Sequence, residues 1–413
     1  MVALEVSSLT FETHTTGLSL LNSAKCYRPS RVGSTRDPQV NQGLVLMMAH
    51  GTGYHKEHWE PTIEHLFDYE SEQQVAKIPP TLTIRECWAI DVQNHGEAAV
   101  LNEQVTREIP DAWSIWDYAD AFVTLRRDIL GSNPSYRNNK FVLVAHSASA
   151  TAAILTTTFF PLPVLQSQAI FHSLILIEPA IAPNPAFIDP ARHTPLYRSI
   201  SRLIAKRKDT WTSKEEARAW MAEKMPWGMW DERVLKVYVE FGLGYAADKG
   251  VTLRCTRRTE ALAYERGIRQ SLPGLWQLNL LCSANAHVGD KTATSKSTSE
   301  SESGRTASKP VGSHKPIIPI HIVWGEVDDL FSREIKDGLE DPEQGRVFTS
   351  VRRVEDVGHM MVQTSPQATA KVLWDIFRES SASGALSGDD FEDSHLKTQK
   401  PEGRDGAQRR SRL

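Results

Sequence analysis

The chain has 413 residues, 40% of them hydrophobic, and 47 basic against 51 acidic residues give a formal net charge of -4. That balance allows a large buried core and excludes a nucleic-acid partner, which calls for a basic excess. The cysteines Cys26, Cys87, Cys255 and Cys282 show neither metal-ligand nor redox spacing, the first residues lack the pattern of a secretory signal, and no run of about 18 apolar residues predicts a membrane span.

Leu4 to Tyr27 alternates around Thr16-Gly17 and predicts an antiparallel hairpin. Leu44 to Ala49 is a continuous apolar run, the pattern of a parallel strand covered on both faces, and it ends in His50-Gly51-Thr52-Gly53. A helix over Lys56 to Tyr69, a strand over Leu82 to Asp91 and a long amphipathic helix over Ala112 to Leu130 are predicted next. Phe141 to Ala145 is a second buried strand, and the helix after it stops at Pro161. Leu174 to Ile177 is a third strand, ending in Glu178-Pro179. This alternation predicts an α/β fold with a mostly parallel, doubly wound sheet, its first part spanning residues 1–179.

From 180 to 282 the alternation lapses into helical segments, one opened by the capping pattern Ser213-Lys214-Glu215-Glu216 and closed by Pro226. This predicts a helical lid over the carboxyl edge of the sheet, where open α/β sheets bind ligands. Trp211, Trp220, Trp227, Trp230 and Trp276 lie in it; an aromatic underside for an apolar ligand is one reading, and packing between the lid's own helices is the expectation for most of them. Residues 283–316, rich in Ser, Thr, Lys, Gly and Glu, read as a disordered linker. The sheet resumes over 317–380 with strands at Ile317 to Trp324 and Val351 to Val354 and a helix at Gln367 to Arg378, and 381–413 reads as a disordered tail.

Chemistry concentrates at the strand ends. Val144-Ala145-His146-Ser147-Ala148-Ser149 has the form of a nucleophile elbow, a strand-to-helix turn that exposes a serine hydroxyl, with Ala145 and Ser149 where the usual pattern has glycines. A serine nucleophile needs a base, an acid to orient it and backbone donors for an oxyanion. His359, after Val357-Gly358, is the candidate base, with a turning glycine before it. The N–H groups of Thr52 and Ala148 are the candidate oxyanion donors. Two carboxylates compete for the acid: Asp328, after the penultimate strand, and Glu178, after the strand that follows the elbow helix; spacing does not decide between them.

Taken together these residues resemble the α/β-hydrolase superfamily. Within it, His50-Gly51-Thr52-Gly53-Tyr54-His55-Lys56-Glu57-His58-Trp59-Glu60-Pro61 and Asp91-Val92-Gln93-Asn94-His95-Gly96 are similar to a fungal group. That group includes the mycophenolic acid pathway's acyl-CoA hydrolase, the host-selective toxin hydrolases and the yeast peroxisomal lipase. The resemblance implies Glu178 as the acid, in the context Leu176-Ile177-Glu178-Pro179. It also implies ester or thioester cleavage, acyl-CoA foremost, through an acyl-enzyme with no metal or organic cofactor. Carboxylesterase or lipase activity is the alternative, and a non-catalytic binding protein with the same fold is a third reading. Ser411-Arg412-Leu413 has the small-basic-leucine form of a peroxisomal address, so an import receptor is expected as a partner beside a small-molecule substrate. The basic run Arg198, Arg202, Lys206, Arg207 and Lys208 is either a coenzyme A phosphate contact or a solvated helix face.

Overall fold

The computed structural model describes residues 2–15, 17–30, 43–77, 82–109, 113–167, 169–184, 190–245, 250–283 and 317–382. The expected linker and tail, including Ser411-Arg412-Leu413, lie outside the described residues apart from Ser283, Ser381 and Ala382, which end helices.

The opening hairpin is β1 (Leu4–Thr13) and β2 (Leu20–Pro29). After it come β3 (Leu44–Ala49), β4 (Ile84–Ile90), β5 (Lys140–His146) and β6 (Ser173–Ile177). An insertion carries the short strands β7 (Thr210–Trp211), β8 (Leu243–Tyr245) and β9 (Val251–Leu253), and β10 (Ile320–Gly325) and β11 (Ser350–Val354) complete the set. The central sheet runs β1-β2-β4-β3-β5-β6-β10-β11, antiparallel at β1/β2 and β2/β4 and parallel from β4 onward.

The longer helices are α1 (Glu60–Ala76), α2 (Ile115–Thr124), α3 (Ser149–Leu155), α4 (Pro190–Lys206), α5 (Lys214–Ala222), α6 (Glu232–Gly242), α7 (Arg257–Ser283), α8 (Arg333–Glu340) and α9 (Pro366–Ala382). Side chains alternate across a strand, so β3 feeds two cores. Val45, Met47 and Ala49 join α2, α3 and the second half of α7 (Leu275, Leu278, Leu281). Leu44, Leu46 and Met48 join α1 and α9. Burial on both faces is why this strand is apolar throughout.

Several boundaries differ from expectation for local reasons. The helix expected from Lys56 starts as a 3₁₀ turn (Lys56–Trp59), and α1 begins only where Pro61 enters its first turn, then runs on to Ala76. The helix expected over 112–130 begins at Ile115, where Ser114 and Asp117 form a capping box, and its last turn, Leu125–Leu130, widens to a π-helix. In the insertion, Ser213 caps α5 as expected, but the helix ends at Ala222, before Pro226. The insertion is not wholly helical: β7, β9 and β8 form an antiparallel sheet whose two- and three-residue strands are too short to show a period.

Candidate active site

At the end of β5 the chain turns sharply, and Ser147 takes a left-handed backbone, φ 62°. A non-glycine residue there is strained and must be held by its surroundings. Its N–H donates to the Ile177 carbonyl at 2.9 Å, and its carbonyl accepts the Ala180 N–H at 3.1 Å. The two positions that lack glycine are accommodated. Ala145 is fully buried, and the Ser149 hydroxyl lies 2.7 Å from the His146 carbonyl and 3.0 Å from that of Ala49, joining the ends of β5 and β3.

His359 comes from the loop after β11, and its Nε2 lies 3.0 Å from Ser147 Oγ. Its Nδ1 lies 3.3 Å from Glu178 Oε2, at the end of β6. With Nδ1–H donating to the carboxylate, Nε2 is left to accept the serine proton, the tautomer that a base requires. Two residues not singled out in the sequence fix the loop. Asp329 Oδ1 accepts the His359 N–H at 2.8 Å, and His146 Nε2 donates to the His359 carbonyl at 2.8 Å. Burial holds the His146 imidazole neutral, pushing its pKa down to about 3. Phe331 meets the His359 ring edge-on at 5.0 Å. Gly358 does not take the positive φ expected of a turning glycine; it must be small because a Cβ there would fall on the Asp329 carboxylate.

The structure separates the two candidate acids. Glu178 is fully buried, and its Oε1 accepts the Gly325 N–H at 2.7 Å. Asp328 is paired instead with Lys336 at 3.1 Å and Arg333 at 3.6 Å. Lys336, on α8, also reaches Glu178 Oε1 at 3.3 Å. The only sequence signal for Lys336 is a lysine one turn before the buried Leu339, on the helix's inward face.

Thr52 and Ala148 line one cleft with Ser147. Gly53, with φ 84°, makes the turn after Thr52, and the 91–96 segment clamps it. Gly53 N–H donates to His95 Nε2 and Val92 N–H to His50 Nε2, both at 3.0 Å. Burial drives both imidazoles to about 3, so each stays neutral and keeps an acceptor nitrogen for its bond. Below them Asp91 accepts the Lys56 N–H and ammonium, each at 2.8 Å, and the Glu97 N–H at 2.9 Å. Burial pulls the Lys56 ammonium down, but Asp91 and Glu57 outweigh it and hold its pKa above the ordinary value. The two sequence strings that stood out are thus one clamped unit. Tyr54, His55 and His58 carry that unit to Trp230 and Tyr238 of the insertion.

The cleft is walled by Val92, Trp113, Ile115, Ile181, Leu330 and Phe331, with Gln270, Ser271 and Thr151 among its polar groups. No insertion tryptophan lines it. Trp211, Trp220, Trp227 and Trp230 pack the insertion's own core, as expected for most of them, and Trp276 is exposed, so the tryptophans form no aromatic underside. Arg207 is likewise engaged elsewhere, bound to both oxygens of Glu260, and Lys208 pairs with Glu216 at 3.0 Å, while Arg198, Arg202 and Lys206 are exposed on α4. Among the described residues no cluster of His, Cys, Asp or Glu has a metal-holding arrangement, and no helix is long and apolar enough to cross a membrane.

The model of the alpha/beta hydrolase family matches residues 45–372. The chain belongs to this family. No curated protein sequence matches this α/β hydrolase. Among solved structures it is similar to the peroxisomal alpha-beta-hydrolase Lpx1 from Saccharomyces cerevisiae, 15% identical, covering 97% of this chain and 93% of that one, TM-score 0.61. It is also similar to E-2-(acetamidomethylene)succinate hydrolase (16% identity, 89% and 98% coverage, TM-score 0.52). A third is the thioesterase domain from the curacin biosynthetic pathway (13%, 89% and 99%, TM-score 0.50). At these identities the likeness concerns the α/β-hydrolase fold alone.

Proposed function

We propose that this α/β hydrolase is a serine hydrolase that cleaves an ester or thioester of an apolar acyl group, with Ser147, His359 and Glu178 as its triad. The observation that carries the reading is the continuous chain of contacts from Ser147 Oγ to His359 Nε2 (3.0 Å) and from His359 Nδ1 to Glu178 Oε2 (3.3 Å). His359 takes the hydroxyl proton as Oγ attacks the carbonyl carbon, and the Thr52 and Ala148 N–H groups receive the oxyanion. Collapse expels the alcohol or thiol, which takes the proton from Nε2. A water then attacks the acyl-enzyme, giving its proton to His359; collapse breaks the Oγ–acyl bond, His359 returns the proton to Ser147 Oγ, and the carboxylic acid is released. Glu178 holds the imidazole and balances its charge without accepting the proton.

The insertion acts as the lid, a reading supported by Ile181, Ala263, Tyr264 and Gln270, which line the cleft together with Ser147. Apolar walls favour an acyl chain. Ser411-Arg412-Leu413 supports peroxisomal import through its receptor, and the peroxisomal yeast structure is consistent with that address. An acyl-CoA thioester in fungal secondary metabolism is the leading substrate class, on the resemblance of the two motif strings. The test is turnover of acyl-CoAs and matched simple esters by the wild type, Ser147→Ala, Glu178→Gln and Asp328→Asn. Ser147→Ala abolishes turnover, Glu178→Gln lowers kcat by about 10²-fold or more, and Asp328→Asn loses far less. Turnover surviving in Ser147→Ala refutes the triad; ester without thioester turnover makes the protein a carboxylesterase.

A further inference from the structure

Lys336 carries a charge where there is almost no water. Its side chain is 1% exposed, and its ammonium lies 3.3 Å from Glu178 Oε1 and 3.1 Å from Asp328 Oδ1. It also donates to the Gly325 carbonyl at 2.7 Å and points toward that of Val327 at 3.4 Å. The other Glu178 oxygen, Oε2, is the one that faces His359. Burying an ammonium is costly, and neutral donors could have satisfied two carbonyls, so the two carboxylates are what the charge serves.

We propose that Lys336 is a positioning residue of the site: it grips Glu178 by Oε1 so that Oε2 meets the imidazole, and its charge, shared with Asp328, sets how strongly the Glu178–His359 pair attracts a proton. The proposal rests on the triad reading above. Asp328 and Asp329 face this network from the loop after β10, with Arg333 beside Asp328 at 3.6 Å. His146 faces it from β5, Ser147 from the elbow, and the Trp324 ring from β10 at 5.6 Å. Asp328, the other candidate acid, is therefore wired, through Lys336, to the carboxylate that touches the histidine.

The sign of the effect follows from charge alone. Lys336→Met removes a positive charge, so the Glu178–His359 pair binds a proton more tightly whichever member carries it. The acid limb of activity then moves to higher pH, by on the order of one unit. Asp328→Asn removes a negative charge and moves the limb to lower pH, by less, because Asp328 is about a third exposed and screened by solvent. Lys336→Arg restores the limb.

The readout is the rate of labelling by a fluorophosphonate probe from pH 4.5 to 9, which needs Ser147 and His359 but no known substrate, with kcat/KM for p-nitrophenyl butyrate measured alongside. Opposite shifts in Lys336→Met and Asp328→Asn support the proposal. A Lys336→Met protein slower at every pH with an unmoved limb overturns it, as do shifts of the same sign. If Lys336→Met does not fold, an unmoved limb in Asp328→Asn overturns it. Labelling that persists in Ser147→Ala defeats the triad reading itself, and is distinguishable because it appears whatever Lys336 does.

Discussion

Replacing Asp91 by Ala tests the clamp under the turn at Thr52 and Gly53. The carboxylate is fully buried and accepts the Lys56 N–H, the Lys56 ammonium and the Glu97 N–H, with distances of 2.8, 2.8 and 2.9 Å. Without it the Lys56 ammonium, itself buried, keeps only Glu57 at 3.3 Å and the half-exposed Glu97 at 3.2 Å. Breaking a buried pair by removing one partner costs about 3–5 kcal/mol. For a domain of this size that lowers Tm by on the order of 10 °C. The assay is calorimetry or circular dichroism at pH 7.5, with p-nitrophenyl ester turnover measured below the transition. The double change Asp91→Leu with Lys56→Met removes both charges and recovers part of the loss, the backbone N–H groups staying unpaired. A Tm unchanged in Asp91→Ala, or a double variant no better than the single, refutes the view that this ion pair holds the turn.

Acid should destabilise the protein well above the carboxylate range. His50, His95 and His146 titrate near 3 in the folded chain, while in the unfolded chain they titrate near about 6.5. Between those values the unfolded state binds more protons, so stability is full above about pH 6.5 and falls as pH drops toward 3, by about 1 kcal/mol per histidine per pH unit. A urea midpoint equal at pH 7.5 and 5.0 would contradict this. Gly358→Ala drives a Cβ into the Asp329 carboxylate, which holds the His359 N–H, and is expected to lower kcat by about 10²-fold with little change in Tm. Full activity in that variant would show that Asp329 does not set the position of the imidazole.

The parts legible in the sequence are those governed by local rules. Strands β3, β5 and β6 are covered on both faces, which forces unbroken apolar runs, and the elbow has a fixed order of small residues around Ser147. The acid was undecidable because the ends of β6 and β10 are neighbours in the sheet and both border the histidine loop. What distinguishes Glu178 from Asp328 is reach: Glu178 Oε2 lies 3.3 Å from His359 Nδ1, while Asp328 pairs with Lys336 and Arg333, an outcome set by how the loop after β10 and α8 pack. The cleft walls were illegible for a similar reason. They come from segments near residues 92, 113, 181, 263 and 330, and no spacing rule links them. For most of the insertion's tryptophans packing among its own elements is the expectation, and they do pack there, against α5, α6 and the β7-β9-β8 sheet, whose short strands have no readable period.

Ser149 stands where the superfamily's motif has glycine, and by motif arithmetic it counts as an erosion. In the fold its hydroxyl sits between the Ala49 carbonyl at the end of β3 and the His146 carbonyl at the end of β5. Consensus engineering, which scores each column of a family by itself, would write the glycine back here as a repair. In this chain that edit would remove a side-chain contact between the ends of β3 and β5.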